Sequence, residues 1–286
     1  MGRFARSWNL VKLCWSVLRD DKTLIVFPII STIAALIVAV TFAVPGYFMG
    51  VWRDVAQNGV GLAFWILLFF FYFVLDIVII SFNSALVSAA LLRLKGQPAG
   101  IGDGFRGAGR HAGAIIGFAA ISATVGLILQ IIRDKAGPLG SIVAGLGGMA
   151  WNIATFLAVP VLVAEGVGPV DAVKRSGALL RKTWGEQIIG TFGIGMVFGI
   201  PMLLVALIGI GGGIALIAVH QTVLGITMIF IAVLLMAILG VLSSTLKGIY
   251  SAALYEYAVG GDTGVFDQEL LANAFRPRRR GRTPTL

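Results

Sequence analysis

Residues 60–92 read VGLAFWILLFFFYFVLDIVIISFNSALVSAALL, a run in which Asp76 is the one charged residue. The hydrocarbon core of a bilayer is about 30 Å thick and needs roughly 20 apolar residues in a helix. A helix satisfies its own backbone hydrogen bonds, which lipid cannot do. The stretch therefore predicts a membrane-spanning helix. Because it is longer than one crossing requires, we expect the helix to tilt or to continue beyond the bilayer.

Similar apolar runs predict five more spans, at residues 24–49, 112–132, 139–164 and 187–208 and from residue 222 onward. The composition agrees, with 58% hydrophobic and only 12% charged residues, against about a quarter charged in soluble proteins. The predicted fold class is all-α, a polytopic transmembrane bundle of six spans. The net charge of +9 does not indicate nucleic-acid binding, because the basic residues cluster between the spans.

The distribution of basic residues predicts the orientation in the membrane. When the six spans are threaded alternately, nineteen of the 22 Lys and Arg residues fall on one side, and the other keeps Arg53, Arg133 and Lys135. Basic residues near span ends stay cytoplasmic. We therefore expect a multi-pass protein of the cytoplasmic (inner) membrane with both termini inside. Its outer loops, at 50–59, 133–138 and 209–221, are short.

Three regions follow from this topology: residues 1–23, the transmembrane domain at 24–258, and a basic cytoplasmic tail at 259–286. The first region is predicted to be an amphipathic helix lying in the lipid headgroup plane. The alternative is a helix packed on the domain. Helical spacing puts one apolar stripe on this segment: Phe4, Trp8, Val11, Trp15 and Leu18.

The two inner loops resemble one another. Each has a Gly-led turn, then an Asp (Asp103 or Asp171), and a base three residues later. This similarity is consistent with a parallel pseudo-repeat of the kind found in transporters, or with unrelated turns that share the same helix breakers and charge rule. Within the second loop we predict a short amphipathic helix along the inner surface, with one apolar stripe: Val170, Val173, Gly177, Leu180 and Trp184.

A family resemblance rests on residues 163–184, VAEGVGPVDAVKRSGALLRKTW, and on the opening Ser7-Trp8 through Phe27-Pro28. These stretches resemble bacterial multi-pass proteins that include the membrane domain attached to some glycerophosphodiester phosphodiesterases, together with stand-alone relatives of unknown function. The resemblance implies a six-helix inner-membrane protein concerned with lipids. The catalytic barrel of the phosphodiesterases is missing from this sequence, so their hydrolytic activity is not implied.

One candidate site lies inside the second span. Tyr72, Asp76 and Asn83 share a helical stripe at offsets of four and seven, and should face the interior of the bundle. An ionisable residue within a membrane indicates a functional site by default, here a proton or cation site or a polar group that gates a cavity. The alternative is a hydrogen-bonded Asp that joins helices.

The second candidate is an inner surface that could bind lipid phosphate. Residues 102–107, GDGFRG, match the dinucleotide fingerprint, but they follow a membrane helix and not a strand, so we reject that interpretation. The segment could instead hold a phosphate with its backbone amides, or be a flexible turn. The candidate bases are Arg93, Lys95, Arg106, Arg110, Lys174, Arg175, Arg181 and Lys182.

The sequence predicts no metal site, cofactor or catalytic group, since His111 and His220 fall on opposite sides of the bilayer and no nucleophile is paired with a base. The leading hypothesis is a non-enzymatic protein that handles a lipid or amphiphile, with anionic inner-leaflet lipids as partners, or that assists a membrane complex as a subunit or homo-oligomer. The alternative is a small-solute transporter or channel that uses Asp76.

Overall fold

The computed structural model describes residues 14–19, 21–48, 50, 61–184 and 193–260, without the side chains of 182–184 and 193–197. Every regular element in these ranges is a helix, as predicted. We number the helices in chain order: α1 Lys22–Phe48, α2 Leu62–Leu94, α3 Ile101–Arg110, α4 Ala112–Lys135, α5 Gly137–Ala154, α6 Ala158–Glu165, α7 Pro169–Trp184, α8 Gly193–Val205, α9 Gly212–Ala218 and α10 Thr222–Val259. A π-helical turn, Ala206–Gly211, joins α8 to α9.

Six helical stretches are long and apolar enough to cross a membrane, which confirms the predicted number of spans. They are α1, α2, α4, α5 with α6, Phe198–Ala218, and α10. The fourth span is interrupted at residues 155–157, where Thr155 and Phe156 form a turn and the Thr155 hydroxyl donates to the Trp151 carbonyl.

The predicted end of span five at residue 208 and the outer loop at 209–221 were wrong. The helix continues to Ala218, so the connection to α10 contains only residues 219–221; the first part of the predicted span lies outside the described residues. Gly209 and Gly213 form a small-x-x-x-small pair, which predicts close helix packing, and the structure confirms that packing. A Cβ atom on Gly213 would lie 2.8 Å from the Gly225 carbonyl oxygen of α10, and Gly209 contacts Ala232.

The spans pair as three hairpins: α1 with α2, α4 with α5, and α8–α9 with α10. The long helices α2 and α10 also pack against each other. Most fully buried residues lie where these hairpins meet, at residues 14–27, 80–119, 157–180 and 246–255. We call this region the basic end. Many apolar side chains in the rest of the spans are exposed, as expected of surfaces that face lipid.

The glycine-rich segment after α2 is helical, so its interpretation as a flexible turn was wrong. Asp103 accepts a hydrogen bond from the Gly100 backbone N–H at 3.0 Å, which caps the start of α3. Gly104 and Gly107 allow close approach, since a Cβ atom on Gly104 would lie 2.6 Å from the Ala85 carbonyl oxygen. These glycines are therefore packing residues of a short helix that lies against α2.

Residues 14–19 are the described part of the predicted N-terminal helix, and they are helical. Cys14, Val17 and Leu18 are buried in the core of the basic end, whereas Trp15 is 49% exposed. The rest of the region, including Phe4, Trp8 and Val11, lies outside the described residues, as do residues 261–286 of the tail. Placement of the N-terminal helix in the headgroup plane stays a prediction.

The amphipathic helix predicted in the second inner loop is present as α7, and its buried face matches the predicted stripe in part. Leu180 is buried and Val173 and Gly177 are half-buried, as predicted, whereas Val170 is exposed. The buried face also includes Ala172, Ser176 and Leu179. The buried Ser176 hydroxyl accepts a hydrogen bond from the Leu157 backbone N–H at 3.0 Å. That bond satisfies a backbone group at the break between α5 and α6, which explains why a polar residue lies on the buried face.

Candidate functional site: two clefts at the basic end

Three ion pairs join separate elements at the basic end. Arg93 lies 2.7 Å from Asp21 and also donates to the Ala99 carbonyl oxygen. Lys95 lies 3.0 Å from Glu256, at the end of α10.

The third pair joins Arg175 to Glu165 at 3.2 Å, and the Tyr255 hydroxyl donates to the same carboxylate at 3.3 Å. Glu165 and Glu256 therefore neutralise nearby bases, as their position at the span ends predicts. Arg93 and Arg175 are held in these pairs, so each has a structural partner within the protein.

A cleft of about 280 Å³ lies between the end of α2, α3 and the end of α6. We call it the basic cleft. Three of the four bases predicted for the first loop line it, namely Lys95, Arg106 and Arg110, and His111 joins them. Arg106 and Arg110 are one turn apart on α3, so their side chains extend from the same face.

Arg110 has no ion-pair partner in the described part of the chain, whereas Arg106 is 3.2 Å from Asp103. Asp103 also lines the cleft. Guanidinium groups bind phosphate through paired hydrogen bonds, and a lysine ammonium adds a further charge. Lys95 is held by Glu256, so Arg110 is the base of the cleft without an ion-pair partner among the described residues. Arg110 and the exposed Arg106, whose pair with Asp103 is screened by solvent, provide the donors for one phosphate group.

The bases of the second loop form a separate group. Lys174 lies 3.8 Å from Asp171 on exposed α7, and Arg181 is exposed too. The Lys182 side chain lies outside the described residues. None of the described bases of α7 lines the basic cleft, so the bases of the predicted inner surface are divided between a cleft beside α3 and the exposed side of α7.

A larger cleft of about 420 Å³ lies where spans one, two, five and six meet the break in span four. We call it the central cleft. Its polar lining includes Ser31, Asn83, Ser243 and Lys247, and its apolar lining comes from four of the five elements: Pro28, Ile79, Phe82, Leu86, Phe156 and Met202. Gly240 and Gly248 lie on the same side of α10 and leave room for it.

The three residues of the predicted intramembrane stripe do not all line the same cleft. Tyr72, Asp76 and Asn83 are all half-buried, but of the three only Asn83 lines the central cleft, and Asp76 lines neither cleft. Asp76 makes no hydrogen bond or ion pair with another residue of the described ranges. Nothing in the described ranges therefore joins Asp76 to a neighbouring helix by a polar bond.

Two lining residues were missed by sequence reasoning. Neither His111, which directly follows Arg110, nor Lys247 is among the predicted site residues. The signal that could have identified Lys247 is its place after Ser243-Ser244-Thr245 in an otherwise apolar helix, on the face that also carries Gly240 and Ser251.

Six apolar spans and two clefts at the charged end define a multi-pass helical membrane protein. The chain belongs to a family of unknown function, DUF6159, whose family model matches residues 62–266, from the start of α2 to beyond the end of α10. No curated protein and no solved structure matches the chain.

Proposed function

We propose that this chain is a non-enzymatic protein of the cytoplasmic membrane that binds anionic lipid headgroups in the basic cleft, and so handles a lipid or assists a partner that does. The observation that carries the proposal is the convergence of Lys95, Arg106, Arg110 and His111 on one cleft. Each comes from the inner end of a span or from the helix that follows it.

The size of the basic cleft supports a headgroup as its ligand and not a whole lipid. Ligand sites for drug-sized molecules are roughly 300–1,000 Å³, and this cleft is about 280 Å³. It suits a phosphate with a small substituent, while the acyl chains stay in the bilayer. Basic pockets on the cytoplasmic side of transmembrane helices bind anionic headgroups in this way.

The test is lipid selectivity of the purified full-length protein, measured by native mass spectrometry after equilibration with phosphatidylglycerol and phosphatidylcholine. The variant carries Arg106→Gln and Arg110→Gln. The matched control carries Arg133→Gln and Lys135→Gln, which remove two exposed charges at the opposite end of the bundle. We expect the first variant to lose about tenfold or more of its preference for phosphatidylglycerol, and the control to retain it. Equal retention in both would overturn the proposal.

The proposal also places the basic end and both termini in the cytoplasm, in line with the charge rule. A cysteine-free chain, Cys14→Ser, provides the background for the test. A single cysteine at Ala178 on α7 should be labelled by an impermeant maleimide only after the cells are permeabilised. One at Ala136, between α4 and α5, should be labelled in intact cells. The opposite pattern would reverse the orientation.

The resemblance of residues 163–184 to the membrane domain of some bacterial glycerophosphodiester phosphodiesterases supports a lipid ligand. In the structure these residues include α7 and Glu165, whose carboxylate joins Arg175 to Tyr255. The signature loop thus contributes to the packing of the basic end. We propose that the lipid association of the resembling domains extends to this chain, without any hydrolytic step.

A second candidate is a small-solute transporter or channel that uses Asp76. The observation that favours it is that Asp76 lies within a span without a hydrogen bond or ion pair to another described residue, although such residues are costly in lipid. Flux into proteoliposomes for a panel of small cations and protons, with Asp76→Asn as the variant, tests it. Loss of flux in the variant supports this function.

A further inference from the structure

We propose that the central cleft is a second binding site, which takes a single amphiphile with an acidic head, a carboxylate or a phosphate, beside Lys247, Asn83 and Ser243. This goes beyond headgroup binding in the basic cleft, because the ligand would enter the bundle. The two clefts share no lining residue.

Apart from Ser251, whose hydroxyl donates to the Gly248 carbonyl oxygen at 2.9 Å, the polar lining of the central cleft lacks partners in the described part of the protein. In the described ranges, no carboxylate lies within ion-pair distance of Lys247, and no hydrogen bond joins the side chain of Asn83 or Ser243 to another residue. Ser243 is only 8% exposed. Buried polar groups are nearly always hydrogen-bonded. The unpaired hydroxyl of buried Ser243, beside half-buried Asn83 and exposed Lys247, therefore indicates that a ligand completes the set.

The depth of the cleft in the bilayer indicates where the head would lie. Lys247 is 25 residues after Thr222, the start of α10, or roughly 37 Å along the helix at 1.5 Å per residue. Asn83 is 21 residues after Leu62, the start of α2, or roughly 32 Å. Both distances slightly exceed the hydrocarbon thickness of about 30 Å. The two side chains therefore lie together at the level of the headgroups.

The rest of the lining provides a path for an acyl chain. Ile79 and Phe82 precede Asn83 on α2, so they lie on the membrane side of it, and Met202 and Phe156 add apolar surface from spans five and four. A volume of about 420 Å³ is within the range of small-molecule sites. An amphiphile with its acidic head beside Lys247 and its acyl chain along these apolar residues contacts both the polar and the apolar lining of the cleft.

The positive charge of the lining favours an acidic head over a neutral or a cationic one. Lys247 is the one charged residue that lines the central cleft among the described residues. The side chains of Ser31, Asn83 and Ser243 can donate hydrogen bonds to an anionic oxygen. A neutral head would leave the lysine charge uncompensated, and a cationic head would be repelled.

The test measures binding of three single-chain probes to delipidated, full-length protein in detergent: oleate, oleoyl lysophosphatidic acid and the neutral monooleoylglycerol. We expect Lys247→Gln to weaken oleate or lysophosphatidic acid, or both, by about tenfold or more, and Lys247→Arg to retain binding. Which acid is affected identifies the head as carboxylate or phosphate. Binding of monooleoylglycerol should change less than twofold.

Two controls separate this site from the basic cleft and from misfolding. In the background of Arg106→Gln with Arg110→Gln, which removes binding by the basic cleft, Lys247→Gln should weaken the acidic probes by the same factor as it does in the parent. Arg133→Gln with Lys135→Gln, at the opposite end of the bundle, should leave their binding unchanged. Because Lys247 is exposed to the cleft, Lys247→Gln should unfold at the parent's temperature. Unchanged binding of both acids in Lys247→Gln, or an equal loss of monooleoylglycerol, would overturn the proposal.

Discussion

The Lys95 ammonium lies 3.0 Å from the Glu256 carboxylate, and this pair joins the end of α2 to the end of α10. The two partners differ in exposure: the Lys95 side chain is 51% exposed, whereas that of Glu256 is 5% exposed. A buried carboxylate depends on its counter-charge far more than a half-exposed lysine does. The pair connects the two longest helices, and removal of Lys95 should cost more stability than removal of Glu256.

Lys95→Met is expected to destabilise the protein on the order of 2 kcal/mol, between the values for exposed and buried pairs. The reason is that Glu256 is left buried without its cation. The double variant Lys95→Met with Glu256→Gln should recover most of the loss, because no charge remains unpaired. Unfolding by denaturing detergent gives the free energies. A Lys95→Met variant as stable as the parent would show that the pair does not connect the helices.

Lys174→Met is the matched control for that experiment. Lys174 is 3.8 Å from Asp171, and both side chains are more than 70% exposed. Solvent screens such a pair, which contributes about 0–1 kcal/mol at most. The control should therefore unfold within about 0.5 kcal/mol of the parent.

The packing of span five on α10 leads to a second prediction. A Cβ atom on Gly225 would lie 2.6 Å from the Gly213 carbonyl oxygen, a backbone atom that cannot rotate away. Gly225→Ala should therefore separate the two helices and cost about 1–3 kcal/mol. Gly126→Ala on α4 is the control, because nothing lies within 4 Å of its Cβ position. That control should be neutral or stabilising by up to about 1 kcal/mol.

The number of spans was predictable because it depends only on the length of apolar runs. The end of span five was not predictable in this way. The spacing of Gly209 and Gly213 indicates close helix packing, but their composition is also that of a loop, and only their contacts with α10 show that the helix continues past them. The helix α3 was missed for a related reason. Its glycines lower helix propensity, and tertiary contacts with Ala85 and the capping bond from Asp103 compensate for it.

The candidate sites were predictable in part. Charge clustering grouped Lys95, Arg106 and Arg110, which line one cleft in the structure. It could not show that Arg93 is paired with Asp21, because that partner comes from the start of α1, seventy-two residues earlier in the chain. The central cleft depends on five separate elements, and no local pattern in the sequence indicates that they meet.

Asp76→Asn tests whether that carboxylate stabilises the bundle or serves another purpose. Since it makes no polar bond to a described residue, the substitution should change the free energy of unfolding by less than about 0.5 kcal/mol. The free energy of unfolding is measured by titration with denaturing detergent, as for Lys95→Met, and Asn83→Ala is measured beside it as a comparison. A loss on the order of 2 kcal/mol would mean that Asp76 joins helices by hydrogen bonds, which would count against the transporter hypothesis.

The single cysteine reports on the packing of the N-terminal helix. Cys14 is 1% exposed, and burial, partly offset by a backbone hydrogen bond, raises the pKa of its thiol to about 12. Only the thiolate reacts readily, so at pH 8 the folded protein should react with maleimide at least about a hundredfold more slowly than a free cysteine of pKa about 8.5. Because folding raises the pKa of the Cys14 thiol, the contribution of this thiol to the free energy of unfolding is present below the unfolded pKa and is lost as the pH rises toward 12.

The control is Ala178→Cys in a Cys14→Ser background. It places the thiol on the exposed side of α7, where it should react rapidly. Equally rapid labelling of Cys14 in the folded protein would show that residues 14–19 are not packed in the core.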